Sequence, residues 1–363
     1  MFWNKKVKSR RKFEVHIDKI DKNFAAEPIE YEGLEIYSAK DSRFQLYGLY
    51  DPYNTEGYMR MPDAVAMEVN ECARQLYKNT TGGRIRFRTD SKRVFVRSIL
   101  PVLIRFDHMP RTGVSCFDLY VNGEYYNSFR HKCIDGEKES HIYDSKLSFK
   151  TKEMRDILIH FPLYNEVEEV YIGVDEGSTI KHAEEYSHTK PIVCYGSSIT
   201  QGACASHPGN AYANLLALKY DTDILNLGFS SGARGEIPMM EYLAGLDMGV
   251  LVYDYDHNSP TEELAVNHQR GYRIIREKQP DLPIIMITAA DRNMALPERK
   301  AIIRSTYENA LANGDKNVYF IDGEDIYKPV GRSHCTVDAA HPNDVGFLLM
   351  ADAIGNVLKK IGY

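Results

Sequence analysis

The stretch Ile192-Val193-Cys194-Tyr195-Gly196-Ser197-Ser198-Ile199-Thr200-Gln201-Gly202 joins two patterns that one element cannot carry. Four consecutive apolar residues suit a strand buried on both faces, and such strands belong to parallel sheets covered by helices on either side. The run then breaks at Gly196 into small polar residues, the composition of a tight turn that opens a helix. Downstream, the same short apolar run recurs at Ile224-Leu225-Asn226-Leu227, Val250-Leu251-Val252-Tyr253, Ile284-Ile285-Met286-Ile287 and Val318-Tyr319-Phe320-Ile321. Helical spacing predicts helices over 211–220, 262–278, 298–312 and 343–360, between and after these runs. Strands alternating with helices over residues 186–363 predict a three-layer α/β/α domain.

Upstream of the polar stretch 182–188 the rhythm is different. In Arg84-Ile85-Arg86-Phe87-Arg88 every second residue is apolar, and further short runs follow at Val94-Phe95-Val96, Val102-Leu103-Ile104, Phe117-Asp118-Leu119-Tyr120-Val121, Ile157-Leu158-Ile159 and 167–174. Asn122-Gly123, followed by Glu124-Tyr125-Tyr126, is a hairpin-turn signal. Short strands with one wet face predict an antiparallel β-sandwich over residues 1–185. One helix is expected over 63–76, where Val65, Met67, Val69, Cys72 and Leu76 partly share a face. The first dozen residues carry Lys5, Lys6, Lys8, Arg10, Arg11 and Lys12, read as a solvated basic tail (1–12) leading through 13–22 into the first strand.

Composition narrows the function classes. The 363 residues are 43% hydrophobic and 26% charged, a globular balance. Forty-five Lys and Arg against 51 Asp and Glu give a net charge of −6, without the basic excess of a nucleic-acid binder. No run approaches the roughly 20 apolar residues of a membrane span, so neither nucleic acid nor membrane is expected as a partner. The six cysteines form no C-x-x-C pair, and no apolar export segment follows the basic tail. Free thiols and a cytoplasmic location are therefore expected.

In parallel α/β sheets ligands bind beyond the carboxyl ends of the strands. Ser198, just past the first apolar run, stands where a nucleophile is exposed at a helix start. The segment lacks the Gly-Lys-Ser/Thr of a phosphate-binding loop, and Thr200 occupies the place of the second glycine of a G-x-S-x-G elbow. After the second run, Gly228, Gly232 and Gly235 fall at spacings of four and three, which is not a dinucleotide fingerprint. That loop instead offers backbone N–H groups to an oxyanion. Asn258, after the third run, carries a side-chain amide for the same purpose. Asp338-Ala339-Ala340-His341 precedes the last helix, and an aspartate three residues before a histidine can bond the imidazole Nδ1 and aim Nε2 at a nucleophile. No cofactor is expected, and the remaining histidines show no metal-ligand spacing.

These four segments together resemble the SGNH hydrolases, the GDSL-like esterases. The resemblance implies a flavodoxin-like three-layer domain and a catalytic set of Ser198, Asp338 and His341. It also implies an oxyanion hole from the Ser198 N–H, the Asn258 amide and an N–H of Ser231 or Gly232. Two positions depart from the pattern. Ser197 replaces the usual acidic residue, and Ser231 stands where the motif places its glycine, with Gly232 one residue later.

Gly113-Val114-Ser115-Cys116-Phe117-Asp118-Leu119-Tyr120, after the run at 82–89, is similar to the jelly-roll-like β-sandwich that precedes the catalytic domain in a two-domain bacterial subgroup. That likeness implies a carbohydrate esterase removing acetyl groups from O-acetylated mannan- or xylan-type oligosaccharides. The alternatives are a short-chain lysophospholipase or thioesterase on the same scaffold, and a carbohydrate-binding protein with a decayed esterase domain. A homo-oligomer remains open.

Overall fold

The computed structural model describes residues 29–130, 141–291 and 296–363. The basic tail, the segment 13–22 and Cys133 lie outside them. Among the described residues, ten strands build the first half: β1 (Leu34–Ser38), β2 (Gln45–Tyr47), β3 (Arg84–Thr89), β4 (Arg93–Ile99), β5 (Phe117–Val121), β6 (Glu124–Phe129), β7 (Ile142–Ser148), β8 (Arg155–His160), β9 (Glu169–Asp175) and β10 (Ile180–Lys181). They form two antiparallel sheets, ordered β1-β9-β4-β7 and β10-β3-β8-β5-β6, with β2 paired to β3. Phe44, Phe87, Val94, Val96, Phe117, Leu119, Ile157, Ile159, Ile172 and Val174 fill the space between the sheets. The β5–β6 hairpin turns at Asn122 and Gly123, both with φ in the left-handed region, as the dipeptide predicts.

Val102-Leu103-Ile104, predicted as a strand, is not one. Pro101 precedes it, and the Asn165 side chain takes over its backbone, donating to the Val102 carbonyl and accepting from the Ile104 N–H. An apolar run held by a side-chain amide has no need of a ladder. The predicted helix over 63–76 is two helices, Asp63–Val69 and Glu71–Leu76, broken at Asn70, whose extended backbone lets its side chain cap the second.

The second half holds β11 (His188–Gly196), β12 (Thr222–Gly228), β13 (Val250–Asp254), β14 (Ile284–Ile287) and β15 (Val318–Ile321), all parallel, in the order β12-β11-β13-β14-β15. This is the flavodoxin-like order, and its topological switch point lies between β11 and β13. Alternate residues of β11 face opposite layers. Val193 and Tyr195 pack with helices Ile237–Gly245, Thr261–Lys278 and Pro297–Ala312, whereas Ile192 and Cys194 pack with Tyr212–Tyr220 and Asp344–Lys360. The helix Ile237–Gly245 was not predicted. Its apolar residues surround the axis, so it presents no amphipathic stripe to read.

The two halves are fused rather than strung together. Met59, Met61, Ala66, Val69, Ala73 and Tyr77, all from the first half, share one core with Val193, Tyr195 and the helices of that layer. Edge strand β12 is covered by two buried arginines of the first half. Arg84 pairs with Asp223 and donates to the Ile224 carbonyl, and Arg60 donates to the carbonyls of Asn226 (3.0 Å) and Gly228 (2.6 Å). Asp118, fully buried, accepts from His160 Nδ1 at 2.7 Å within the sandwich. From the α/β domain it accepts from His207 Nδ1 at 2.7 Å and the Gly209 N–H at 2.6 Å. Burial raises the pKa of this carboxyl, but the two histidines outweigh it and hold it well below the usual carboxylate range.

Candidate active site

β11 ends in a turn that only glycine permits at position 196, because a Cβ there would overlap Thr200 Oγ1 and the Asp254 carbonyl of β13. The chain then enters a one-turn helix, Ser198–Gln201, whose Ser197 cap accepts the Ile199 N–H through its side chain. Ser197 thus does a capping job in place of the expected acid. Ser198 is left at the first helical position, beside the switch point.

The Ser198 hydroxyl lies 2.9 Å from His341 Nε2. His341 Nδ1 lies 2.7 Å from Asp338 Oδ2, and Asp338 Oδ1 accepts the backbone N–H groups of His341 (2.7 Å) and Ala340 (3.1 Å). The turn that brings them together passes through Ala339 at φ +68° and is followed by Asn343, which caps the last helix. Partial burial raises the Asp338 pKa, but the bonds from the His341 ring, the His341 N–H and the Ala340 N–H hold it down at about 2. An ionised carboxylate at Nδ1 fixes the proton there and leaves Nε2 to accept from Ser198.

The loop after β12 curls beside this line. Ser231 adopts φ +59°, and Gly232 donates its N–H to the Phe229 carbonyl at 3.0 Å. The same carbonyl accepts the Asn258 amide at 2.9 Å, which ties the loops after β12 and β13 together. Ser230 is held by the Gln201 side chain and by Tyr164, whose hydroxyl also reaches the Ser198 carbonyl at 3.3 Å. Behind the loop, Asn70 donates to the Gly232 carbonyl at 2.7 Å and Arg60 stacks on the Phe229 ring.

Several of these residues were invisible in the sequence. Asp118 and Tyr120, in the run that resembles the subgroup's sandwich, lie at the domain junction, where Tyr120 packs on Gly209. The sandwich contributes instead Tyr164 and the loop carrying Phe106 and His108. The Phe106 ring is 40% exposed, sits edge-on to Tyr164 at 5.5 Å, and neighbours His108, whose ring is 5.7 Å from that of His341. Burial, then the charge of Asp338, push the nearby Cys204 thiol up to about 12, so it does not compete with Ser198 as a nucleophile.

A family model for the GDSL-like lipase/acylhydrolase family matches residues 189–359, and one for the N-terminus of SGNH-hydrolase-type esterases, named GxDLY, matches residues 31–180. No curated protein matches the chain. Among solved structures, a GDSL-like lipase candidate from Bacteroides ovatus ATCC 8483 is similar at 27% identity and TM-score 0.79, over 90% of this chain and 98% of that one. A salicylyl-acyltransferase, SsfX3, from a tetracycline biosynthetic pathway is similar at 19% identity and TM-score 0.74, over 91% and 98%. A family two carbohydrate esterase from Clostridium thermocellum, solved with cellohexaose, is similar at 13% identity and TM-score 0.61, over 88% and 99%. Residues 189–359 thus match the GDSL-like lipase/acylhydrolase family, set behind residues 31–180, which match the N-terminal domain of SGNH-hydrolase-type esterases.

Proposed function

We propose that this esterase removes acetyl groups from O-acetylated oligosaccharides of mannan or xylan type through an acyl-enzyme on Ser198. The observation that carries the chemistry is the unbroken line from the Ser198 hydroxyl through the His341 ring to Asp338. As the hydroxyl attacks the ester carbonyl, Nε2 takes its proton, and Asp338 stabilises the imidazolium. His341 then protonates the departing sugar alcohol. In the second half it draws a proton from water, which attacks the acyl-enzyme and releases acetate and free Ser198. The oxyanion is held by the N–H groups of Ser198 and Ser231 and by the second N–H of the Asn258 amide, whose first is donated to the Phe229 carbonyl. Gly232 drops out of this set because its N–H is already spent on Phe229.

The intact geometry argues against a decayed binding protein. Two things support the sugar. The fold is shared with a carbohydrate esterase, and Phe106 presents an exposed ring next to Tyr164, whose hydroxyl bonds the Ser198 carbonyl, a platform on which a pyranose face can stack. An acyl-chain series on p-nitrophenyl esters tests the acetyl assignment, with kcat/KM falling steeply from acetate to octanoate. A preference for octanoate would replace it with the lysophospholipase or thioesterase reading. Acetyl turnover that requires an added alcohol acceptor would make the protein a transferase instead.

A further inference from the structure

The described residues contain a group of soft and borderline metal donors in which the catalytic base, His341, stands with two side chains that the ester chemistry leaves unused, His108 and Cys204. His108, Cys204 and His341 each bring one ligand atom into a cluster in which all three atoms lie within 4.8 Å of one another. They come from three separate segments: the sandwich loop after Pro101, the turn after the Ser198–Gln201 helix, and the turn before the last helix. No sequence spacing links them, so only the fold reveals the set. Cys204 is buried and held at φ +73°, with its thiol donating to the His108 carbonyl at 3.7 Å. His108 is exposed, so the group opens to solvent on one side.

We infer that His108, Cys204 and His341 form an inhibitory site for a zinc-like divalent cation, which switches the esterase off by occupying its general base. Two imidazoles and a thiolate are a donor set suited to Zn²⁺, with water as the fourth ligand. In a tetrahedral zinc site donor atoms stand about 3.5 Å apart, so closing the group around an ion takes a contraction of roughly an ångström. The exposed His108 side chain can supply that movement. Because Nδ1 of His341 is committed to Asp338, Nε2 is the atom that meets the ion, and the Ser198 hydroxyl loses its acceptor. Binding displaces the Cys204 thiol proton to solvent, breaks no other covalent bond, and ends the hydrogen bonds between Ser198 and Nε2 and between the thiol and the His108 carbonyl.

The loss of activity rests on the catalytic reading above, but the binding does not, so two measurements are paired. In the first, hydrolysis of p-nitrophenyl acetate is titrated with ZnCl₂ and restored with EDTA, for wild type, Cys204→Ala and His108→Ala. Neither substituted residue belongs to the catalytic set, and His108→Ala alters only an exposed side chain. Cys204→Ala should keep basal turnover, and both variants, each measured against its own zinc-free rate, should need at least about tenfold more zinc for half-inhibition, since even outer partners of metal ligands are worth 10–100-fold in affinity. In the second, Co²⁺ is added to the same proteins and the thiolate-to-cobalt charge-transfer band is followed. Wild type should show the band and Cys204→Ala should lose it, whether or not any ester is turned over. Variants as zinc-sensitive as wild type, a wild type that zinc does not inhibit, or a cobalt band that survives Cys204→Ala would each overturn the inference.

Discussion

Replacing Asp118 with alanine removes one acceptor that three donors share across the two halves of the chain. His160 Nδ1, His207 Nδ1 and the Gly209 N–H all lose their partner, and His160 is fully buried with Nε2 already unpaired. A buried polar group left unsatisfied costs about 1–3 kcal/mol, so three of them span roughly 3–9 kcal/mol. Breaking a buried charged pair by deleting one partner costs about 3–5 kcal/mol, and relaxation around small alanine favours that lower part of the range. Against the roughly 5–15 kcal/mol that hold a typical protein folded, this is a large fraction. The assay is urea unfolding at pH 7 followed by circular dichroism and by residual esterase activity. We expect a loss of about 3–5 kcal/mol, with activity and the sandwich signal lost together. A carboxyl whose folded pKa is depressed contributes stability that is present above its unfolded value, about 3.9, and lost as pH falls through the folded value. The gap between wild type and variant should therefore be wide at pH 7 and narrower at pH 3. A variant within about 1 kcal/mol of wild type at pH 7 would refute the view that Asp118 locks the two domains together.

Two further outcomes test the site. Asn258→Ala should lower kcat for p-nitrophenyl acetate by on the order of 10²–10³ with little change in KM, the cost of one oxyanion donor; an unchanged kcat removes that role. Phe106→Ala should raise KM for acetylated oligosaccharides while leaving KM for p-nitrophenyl acetate nearly unchanged, because only the sugar needs the ring. An equal effect on both substrates would assign Phe106 to packing against Tyr164 instead.

The parallel half of the fold was legible because its strands are buried on both faces and its long helices carry their own spacing. Ile284–Ile287 and Val318–Ile321 are strands at the predicted residues. The sandwich was legible in its alternating strands and its Asn-Gly turn, but not at Val102-Leu103-Ile104, where the Asn165 side chain replaces strand pairing. Ser198, Asp338, His341 and Asn258 stood out as candidates because each follows a strand end or precedes a helix, and the fold brings the first three within hydrogen-bond reach. Arg60, Asn70, Tyr164, Phe106 and His108 could not be. They act through contacts between segments far apart in the chain, and local periodicity says nothing about which sandwich edge docks on which loop. The Gly232 ambiguity was of the same kind, a matter of where one N–H points.

The central claim is that Ser198 turns over acetyl esters of oligosaccharides with His341 as its base. It is tested most directly by measuring acetate released from acetylated mannan and xylan oligosaccharides by wild type and by Ser198→Ala, both shown to be folded. Steady release by wild type that vanishes in the variant is the expected result. Equal release by both proteins, or release by neither, would contradict it.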